Sequence, residues 1–536
     1  MIDSTFSQQW KDLESHSSLL KEMTLKDLLF EDSSRTESLS FEIQDLFIDF
    51  SKQLITAETI DLLSALAYER GLSEKIHALF SGEIVNTSEN RPALHTALRF
   101  SAGPSENVSS AIRDALSKAS EFSSAIRSGK WVGATGKPIT SVVNIGIGGS
   151  HLGPFMVSAA LRPYAEESIT CRFVSNIDPV AIDSQLNSLE PESTLFIINS
   201  KSFTTSETIT NAETAVQWAR NALGSENDLL KKHFVAVTAN PEAVENFGIP
   251  KENIFPIWDW VGGRFSVCSS ASLAVMIAIG AENFQKLLEG CHSIDEHFRS
   301  TELSKNVPAL MGMIGIWNRN FLGYGNHAVI PYSADLTHFP SYLQQLEMES
   351  NGKQIRQDGN RVVTQTSPVI LGGPGTDAQH SFFQLLHQGT TIIPTDFITF
   401  CKPSLPAGNL SEEVVLRQHE ILVANCFAQS KALAVGSDSE PESFLSGGNR
   451  PSTTILGSRL DPFTLGQLVA LYEHKVFTMG VLWQINSFDQ WGVQLGKSLA
   501  EIIAKDLTET KGHSDHDSST KSLLARYQRS WEIEGH

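Results

Sequence analysis

Apolar runs of strand type alternate with helical stretches from about residue 105 to about residue 275, and this alternation restricts the fold more than any other feature. Its strand-like segments are SVVNIGIGGS (141–150), CRFVSNID (171–178), STLFIINS (193–200) and FVAVTAN (234–240). A second series follows in HAVIPYSAD (327–335), SPVILGGPGT (367–376) and TTIIPTDFITF (390–400). Because such alternation predicts βαβ units, we expect an α/β protein with two domains, each a mainly parallel sheet flanked by helices.

Both ends of the chain lack this alternation. Helical spacing dominates the beginning, where no strand pattern competes, and the polar tail ends in a helix-like piece. We therefore predict a helical N-terminal segment (1–104), a first α/β domain (105–280), a second α/β domain (281–495) and a C-terminal helical arm (496–536). Near the end of the first segment, Pro92 is placed to start a helix with Arg91, His95 and Arg99 on one face, and a solvated face is the alternative interpretation.

The segment TLFIINSKSFTTSET (194–208) predicts a strand, a loop and a helix in direct succession. Free backbone N–H groups and the positive end of the helix dipole then point into the loop, which suits an anion such as a phosphate. Hydroxyl groups and one cation surround that position, namely Ser200, Lys201, Ser202, Thr204, Thr205 and Ser206. The alternative is a capping box of Thr204 with Glu207, which leaves the other hydroxyls as ordinary loop residues.

The charge balance argues against several classes of partner. The 536 residues include 41 Lys and Arg against 61 Asp and Glu, a net charge of −20 with no basic run, so we expect neither nucleic acid nor membrane binding.

The five scattered cysteines argue against a disulfide framework or a structural zinc and favour the cytoplasm. No apolar core marks the first residues, and no run reaches the roughly 18 apolar residues of a spanning helix.

Two glycine-rich segments are similar to nucleotide-binding loops but lack their spacing. In NIGIGGSHLGP (144–154), Gly149 allows a ligand to approach the backbone closely, and Ser150 offers a hydroxyl at the start of the next helix. The dinucleotide fingerprint needs a third glycine where this chain has His151. GATGKP (133–138) lacks the earlier glycine of a P-loop and the Ser or Thr after its lysine.

Two segments carry candidate groups for acid–base chemistry. WDWVGGRFS (258–266) places Arg264 in an apolar and aromatic setting, where its guanidinium either stabilises an oxyanion or forms a structural ion pair. QQLEMESNGK (344–353) carries Glu347 and Glu349 beside apolar neighbours. One of these two is a candidate general base, although a surface charge is the commoner role for a glutamate in a helix.

Two later segments place polar side chains at helical spacing. GTDAQHSFFQLLHQGT (375–390) puts His380 and His387 two helical turns apart, which does not suit a shared metal ion. SFDQWGVQLGK (487–497) places Gln490 and Lys497 seven residues apart, again on one helical face. Because the chain has no HExxH motif and no cluster of carboxylates with histidines, we expect no metal.

Taken together, these motifs resemble the phosphoglucose isomerase family. The matching segments, in order, are NIGIGGSHLGP, SKSFTTSET, WDWVGGRFS, QQLEMESNGK, GTDAQHSFFQLLHQGT, GNRPS and SFDQWGVQLGK. NTSENRPALHTALR matches as well, so the resemblance extends from about residue 86 to about residue 500. Each segment alone is moderately specific, and their order and separations together leave little room for another family.

The resemblance implies an activity and an assembly. It implies two sugar-isomerase-type α/β domains and a homodimer that interconverts glucose 6-phosphate and fructose 6-phosphate without cofactor or metal, in glycolysis and gluconeogenesis. A proton next to a carbonyl is only weakly acidic, so a base must act together with a group that stabilises the developing oxyanion. A glutamate with an arginine provides such a pair.

The resemblance also implies roles for individual residues. Glu349 would move the proton between carbons 1 and 2, Arg264 would face the enediolate, and His380, reaching the site from the partner subunit, would assist ring opening. The phosphate would bind Ser200, Lys201, Ser202 and Thr205. Gly149, Ser150 and Gln345 would contact the substrate, and Lys497 and Gln490 would contact the ring oxygen and the phosphate end.

Three positions depart from the family pattern, and none of them is a proposed proton-transfer residue. His151 stands where an aspartate is usual, Ser202 where threonine is usual and Gln494 where glutamate is common. Two other functions stay open on the sequence. A non-catalytic sugar-phosphate sensor would need only the phosphate loop, and a metal-dependent aldose isomerase would lose its activity when a chelator is added.

Overall fold

In the computed structural model the chain forms two β-sheets with helices on their faces. The structure describes residues 7–100, 103–224, 228–404, 408–437, 446–508 and 515–534. They fall into two units, one ending at Phe488 and the other beginning at Asp489. The four-part division of the chain into 1–104, 105–280, 281–495 and 496–536 stays a prediction.

The strands and helices have the following bounds. The strands are β1 (Ser40–Ile43), β2 (Leu46–Asp49), β3 (Ser141–Ile145), β4 (Thr170–Val174), β5 (Thr194–Asn199), β6 (Phe234–Thr238), β7 (Ile254–Pro256), β8 (Asn326–Pro331), β9 (Val369–Gly372), β10 (Thr395–Phe400) and β11 (Ser452–Gly457). The helices up to residue 300 are α1 (Gln8–Leu20), α2 (Leu25–Glu31), α3 (Arg35–Ser38), α4 (Ala57–Glu69), α5 (Leu72–Ser81), α6 (Ala97–Phe100), α7 (Glu106–Arg127), α8 (Leu152–Ala160), α9 (Pro179–Leu186), α10 (Ser206–Leu223), α11 (Leu229–His233), α12 (Pro241–Phe247), α13 (Leu273–Ile279) and α14 (Ala281–Ser300). The later helices are α15 (Val307–Ile316), α16 (Phe339–Leu343), α17 (Gly375–Gln379), α18 (Phe383–Gln388), α19 (Glu412–Val435), α20 (Pro462–Leu482), α21 (Gln494–Thr508) and α22 (Ser518–Glu534).

The first sheet has the strand order β4-β3-β5-β6-β7, and every pair in it is parallel. All residues of the central strand β5 are buried. Ile197 packs into the core on one face of the sheet, whereas Phe196 and Ile198 pack into the core on the other. A strand buried on both faces needs a continuous apolar run rather than an alternating pattern. The predicted strands of this region are confirmed.

The second sheet has the strand order β1-β2-β11-β10-β8-β9 and is parallel from β11 to β9. The three strand segments predicted for the second domain are confirmed as β8, β9 and β10. The prediction of a mainly parallel sheet is also confirmed, with an antiparallel edge formed by β1 and β2.

The prediction that residues 1–104 form only helices is wrong. β1 and β2 make a hairpin, and β2 pairs antiparallel with β11 from the far end of the chain. Ile43, Leu46 and Ile48 are buried while their neighbours are more exposed, which is the two-residue period of strands with one face in the core. The tight turn at Gln44, whose φ is 53°, contains no glycine or proline to signal it.

Helix α20 is buried along its whole length and packs against α14 and α15. Its start is fixed by Asp461, whose carboxylate accepts a hydrogen bond of 2.8 Å from the N–H of Thr464, and by Pro462 in the first turn. A Cβ added to Gly466 would overlap the carbonyl oxygen of Leu287, so the missing side chain lets α20 approach α14 closely. Despite its burial, α20 contains the polar run Tyr472–Lys475.

The unit that begins at Asp489 consists of a short 3₁₀ turn followed by α21 and α22. Gln528 on α22 donates a hydrogen bond of 2.9 Å to the carbonyl of Asp506 on α21, which ties the two helices together. His516 lies 2.7 Å from the same Asp506 through its carboxylate. In the ranges that the structure describes, no helix combines the length and the apolar character needed to span a membrane.

Candidate active site

Three backbone turns of the first unit meet at the carboxyl end of the first sheet. They are the 3₁₀ turn Gly148–Ser150 after β3, the 3₁₀ turn Gly263–Phe265, and a π-helix over Gln344–Glu349. Gly149 lies so close to Gly263 that an added Cβ would overlap the carbonyl group of Gly263. A Cβ on Gly148, whose φ is 60°, would lie 3.2 Å from Nε2 of Gln345. Ligands in α/β sheets bind at such an edge.

Two buried asparagines hold the turn that ends at Ser150. Asn144 at β3 and Asn199 at the end of β5 donate to the carbonyl of Ser150 at 3.1 and 3.2 Å. Asn199 also donates to the carbonyl of Ala271 at 2.7 Å. Neither asparagine was predicted as a site residue. The signal in the sequence is a polar side chain inside a buried strand, which needs hydrogen-bond partners.

Arg264 is a buried cation with partners from two other segments of the chain. Its Nε donates to Oγ of Ser350 at 2.6 Å, and its Nη2 donates to the carbonyl of Ser487 at 2.5 Å. Nη1 lies 3.5 Å from Oε2 of Glu349. The predicted apolar setting is confirmed, since the guanidinium also lies over the Phe265 ring. The structural alternative, an ion pair with a carboxylate, is present as well, and the carboxylate is the candidate base itself.

The structure separates the two candidate glutamates of QQLEMESNGK. Glu347 is buried and pairs with Lys475 of α20, with 2.9 Å between Oε2 and Nζ. The Glu349 side chain is 26 % exposed and accepts a hydrogen bond of 2.9 Å from Nε2 of Gln345. Only Glu349 of the two combines contact with Arg264 and access from solvent.

The loop between β5 and α10 has the predicted form. Helix α10 begins at Ser206, and its N-terminal cap residue Thr205 makes no side-chain capping bond, so the capping-box alternative with Thr204 and Glu207 is wrong. Ser202 is exposed at this helix start and accepts a hydrogen bond of 2.8 Å from the Thr204 hydroxyl. Ser200 is buried behind the loop, with its Oγ 3.5 Å from Oγ1 of Thr205.

Lys201 lies against the segment that leads to Arg264. Its Nζ donates to the carbonyls of Asp259 and Val261 at 3.0 and 3.1 Å. Desolvation lowers the pKa of Lys201, and the Asp259 carboxylate, 3.7 Å from Nζ, partly opposes this. The ammonium therefore joins the loop between β5 and α10 to the segment just before the turn at Gly263.

His380 lies between two short helices rather than on one long helix. It ends α17, and α18 begins at Phe383, so the expectation that His380 and His387 share one helical face is wrong. His387 contacts Gln429 of α19 at 2.7 Å. The His380 side chain is exposed, and within the part of the chain that the structure describes its imidazole has no hydrogen-bond partner.

Gln490 and Lys497 belong to the unit that begins at Asp489. Gln490 precedes the 3₁₀ turn Trp491–Val493, and Lys497 is exposed in α21. The expectation that they share one helical face is therefore wrong, because α21 begins only at Gln494. Their proposed contacts with substrate stay predictions.

The segment from Arg91 to Arg99 is mostly irregular, and only Ala97–Phe100 is helical. The solvated-face alternative is wrong for two of its three residues. His95 is buried against Phe265, with 4.8 Å between the ring centroids, and burial lowers its pKa well below the usual value. Arg99 is buried in ion pairs with Asp295 and Glu473, partners too distant in sequence for a periodicity argument to find.

His151, one of the three departures from the family pattern, stacks on an aromatic ring beside the Gly148–Ser150 turn. Its ring centroid lies 5.1 Å from that of Phe155. Burial lowers the pKa of His151 to about 4, and nearby His338 acts in the same direction. His151 is therefore neutral at physiological pH, in contrast to an aspartate at the same place.

Comparison with known proteins gives consistent results over nearly the whole chain. The family model described as phosphoglucose isomerase matches residues 49–524. A glucose-6-phosphate isomerase of Frankia casuarinae is 48% identical, covering 98% of this chain and 97% of that protein. The relative of the same name from Deinococcus deserti is also 48% identical, covering 98% of both chains.

Solved structures agree with the fold. The crystal structure of a glucose-6-phosphate isomerase from Chlamydia trachomatis has a TM-score of 0.85 and 33% sequence identity, covering 98% of this chain and 99% of that chain. A hypothetical protein from Thermus thermophilus shares the fold at a TM-score of 0.65 and 24% identity, covering 83% of this chain and 96% of that chain.

Replacing Gly149 by alanine should destabilise the protein, because the added Cβ would overlap the Gly263 carbonyl and separate the two turns. We expect a loss of about 2 kcal/mol in the free energy of unfolding, measured by denaturant titration. Gly262→Ala is the matched control, since its Cβ would lie 3.4 Å from Phe265 and its φ of −66° suits alanine. Equal stability of the two variants would contradict the close contact.

Replacing His151 by glutamine should make stability less sensitive to acid. Well above pH 6.5 the imidazole is neutral in the folded and in the unfolded protein. As the pH falls from 6.5 toward about 4, the unfolded chain binds a proton that the folded chain does not bind. Wild type should therefore lose about 1–2 kcal/mol more than the variant between pH 7 and pH 5. Urea titrations at both pH values measure this difference, and parallel losses would show that His151 is not held neutral by the fold.

Proposed function

Because the chain belongs to the phosphoglucose isomerase family and is an isomerase of glucose 6-phosphate and fructose 6-phosphate, we propose that Glu349 and Arg264 carry its proton transfer. The contact between these two residues, 3.5 Å from Nη1 to Oε2, is the observation that supports this assignment most strongly. The alternative of a non-catalytic sugar-phosphate sensor is not supported, because the full-length relatives carry the name of the enzyme.

In the proposed reaction the carboxylate of Glu349 accepts the proton from carbon 2 of the opened glucose 6-phosphate and returns it to carbon 1. The electron pair released from the C–H bond forms the C1–C2 double bond of the enediolate, and the guanidinium of Arg264 stabilises the oxyanion at oxygen 1. The hydroxyl proton on oxygen 2 passes to oxygen 1, so that carbon 2 becomes the carbonyl carbon of fructose 6-phosphate. Gln345, which donates to Glu349 at 2.9 Å, keeps the carboxylate oriented. A positioned base contributes typically about 10²–10⁴-fold and one electrostatic donor about 10²–10³-fold, so both are needed.

The phosphate is proposed to bind at the start of α10. The backbone N–H groups and the dipole of this long helix favour an anion, and Ser202 and Thr205 add hydroxyl donors. Ser200 and Lys201 would complete the site, and the lysine would also tie the loop to the carbonyls near Arg264. Gly149 and Ser150 would line the sugar, and contacts far from the reacting carbons would position the open chain.

Ring opening is proposed to use His380, with Lys497 near the ring oxygen and Gln490 at the phosphate end. The exposed imidazole of His380 is available to a second copy of the chain. Helix α17, which it ends, packs against α19, and α19 exposes large apolar side chains, namely Val414, Leu416, Ile421 and Phe427. Such a surface suits burial in a subunit interface. We therefore propose a homodimer whose subunits share each active site.

The five unpaired cysteines support placing the enzyme in the cytoplasm, and the reaction itself supports a place in glycolysis and gluconeogenesis. We also propose that the reaction needs no metal. Among the residues that the structure describes, no three His, Cys, Asp or Glu side chains are grouped closely enough to hold a metal ion. Addition of a chelator tests this point directly.

Replacing Glu349 by glutamine should abolish turnover while leaving binding intact, because the amide keeps the shape of the carboxylate but accepts no proton. We expect the turnover of fructose 6-phosphate, measured with chelator present, to fall at least roughly a thousandfold. A five-carbon phosphorylated enediolate mimic should still bind. Glu282→Gln, the same change in an exposed surface pair, is the control. Substantial turnover by Glu349→Gln would exclude Glu349 as the base.

Mixing two inactive variants should restore activity if His380 enters the partner's site. Co-expression of Glu349→Gln and His380→Gln chains creates heterodimers with one doubly altered and one intact site. Random assortment then gives about a quarter of wild-type activity, measured on the purified mixture. If His380 serves its own subunit, each site keeps one defect and no activity returns.

A further inference from the structure

The buried ion pair between Lys475 and Glu347 connects the core of the protein to the turn that carries Glu349. Both side chains are at most 3 % exposed, and 2.9 Å separates Nζ from Oε2. Two charges are removed from water here, which is costly unless they remain paired. Among the described residues Oε1 of Glu347 has no hydrogen-bond partner, so Lys475 is the group that compensates this carboxylate.

The position of Glu347 in the π-helix lets this ion pair affect the position of the candidate base, Glu349. Glu347 and Glu349 are two residues apart in a π-helix, so their side chains point to roughly opposite sides of its axis. One side faces α20, where Glu347 is buried, and the other faces Arg264 and solvent. A rotation of this turn that exposed Glu347 would therefore also move the Glu349 carboxylate away from Arg264.

Helix α20 is a rigid base for such an anchor. It is buried along its whole length, and Tyr472, one turn before Lys475, donates a hydrogen bond of 2.8 Å to Asp396 of β10. Asp396 in turn lies 2.9 Å from His327 of β8. Just after the π-helix, Asn351 donates to the carbonyl of Val476 at 2.9 Å. Lys475 thus acts from a helix that is itself fixed to the second sheet.

We propose that Lys475, through its ion pair with Glu347, is a positioning residue that holds Glu349 in reach of Arg264 and of the substrate. Lys475 touches neither substrate nor reacting atoms in this scheme. The inference rests on the proposed role of Glu349. It assigns a catalytic consequence to a charge pair that would otherwise be a feature of the core alone.

The variants Lys475→Met, Glu347→Gln and their combination separate positioning from stability. A misplacement of about 1 Å can cost about a hundredfold in rate, so we expect kcat of Lys475→Met to fall about a hundredfold. KM should stay within about threefold, because the proposed phosphate and sugar loops follow β3 and β5 of the other sheet. The double variant should be no slower than Lys475→Met, since the two residues act as one unit.

The pH profile of kcat/KM distinguishes a positioning role from a purely structural one, because a loss of stability alone would not shift it. Its acid limb reports protonation of the base. The charged or titratable groups around the π-helix and the part of α20 that packs on it are Arg264, Glu347, Lys475, Asp396 and His327. An unpaired Glu347 in Lys475→Met should shift this limb upward by about one unit. An unpaired Lys475 in Glu347→Gln should shift it downward by a similar amount. The double variant should return to the wild-type limb.

Lys286→Met is the matched control, because Lys286 forms an ion pair of the same 2.9 Å length with Glu282 on the surface of α14. It should leave kcat and the acid limb unchanged. The proposal is overturned if Lys475→Met keeps wild-type kcat while its Tm falls, or if the losses of the two single variants multiply in the double variant. Should Lys475→Met fail to fold, an unshifted acid limb and unchanged kcat in Glu347→Gln overturn it equally.

The role of Glu349 is tested in the same experiment. If Glu349→Gln retains turnover, the proposed base is wrong, and the positioning role falls with it. If Glu349→Gln is inactive but Lys475→Met turns over like wild type, only the positioning role is wrong.

Discussion

The proposed active site depends on the burial of one positive charge, that of Arg264. A guanidinium with so little exposure is stable only if polar partners replace the water it has lost. These partners come from Ser350, Ser487 and Glu349, which belong to parts of the chain far from Arg264 in sequence. The contacts that stabilise the buried guanidinium of Arg264 therefore bring the candidate base, Glu349, to the place where the substrate's oxyanion would form. The same contacts serve folding and chemistry.

The close approach of Gly149 to Gly263 adds a second constraint of the same kind. Without side chains at the point of contact, the turn after β3 can lie directly on the turn that carries Arg264. Buried asparagines behind this contact, Asn144 and Asn199, fix the carbonyl of Ser150. The Gly148–Ser150 turn and Arg264 thus have one relative position, set by backbone geometry. Preorganisation of this type reduces the part of the substrate's binding free energy that is used to order the site.

Local patterns in the sequence predicted the parts of the fold that depend on neighbouring residues. Strand β5 and the start of α10 follow from an apolar run and the polar loop after it. Two other features could not be predicted from these patterns, namely the break in helical structure at His380 and the π-helix before Ser350. Hydrophobic spacing does not tell a 3₁₀-helix, an α-helix and a π-helix apart, because these differ in whether each hydrogen bond spans three, four or five residues.

Buried charges were the second kind of feature that the sequence could not reveal. Arg99 is paired with Asp295, which is 196 residues away, and Lys475 with Glu347, which is 128 residues away. A charged residue on its own is expected at the surface, so only the partner explains its burial. For the same reason the sequence pattern did not distinguish Glu347 from Glu349 as the candidate general base. Family resemblance, rather than periodicity, chose Glu349.

The pairing of β2 with β11 has a consequence for synthesis of the chain. Gln53, just after β2, bonds with Thr453 of β11 across 400 residues of sequence. At about 5–20 residues per second, a ribosome needs about 20–80 s to make the chain between them. During this time the N-terminal hairpin exists as a strand edge without its neighbour, and such edges are prone to pair with other chains. Synthesis of β11, the last strand of this sheet among the described residues, supplies the neighbour that covers this edge.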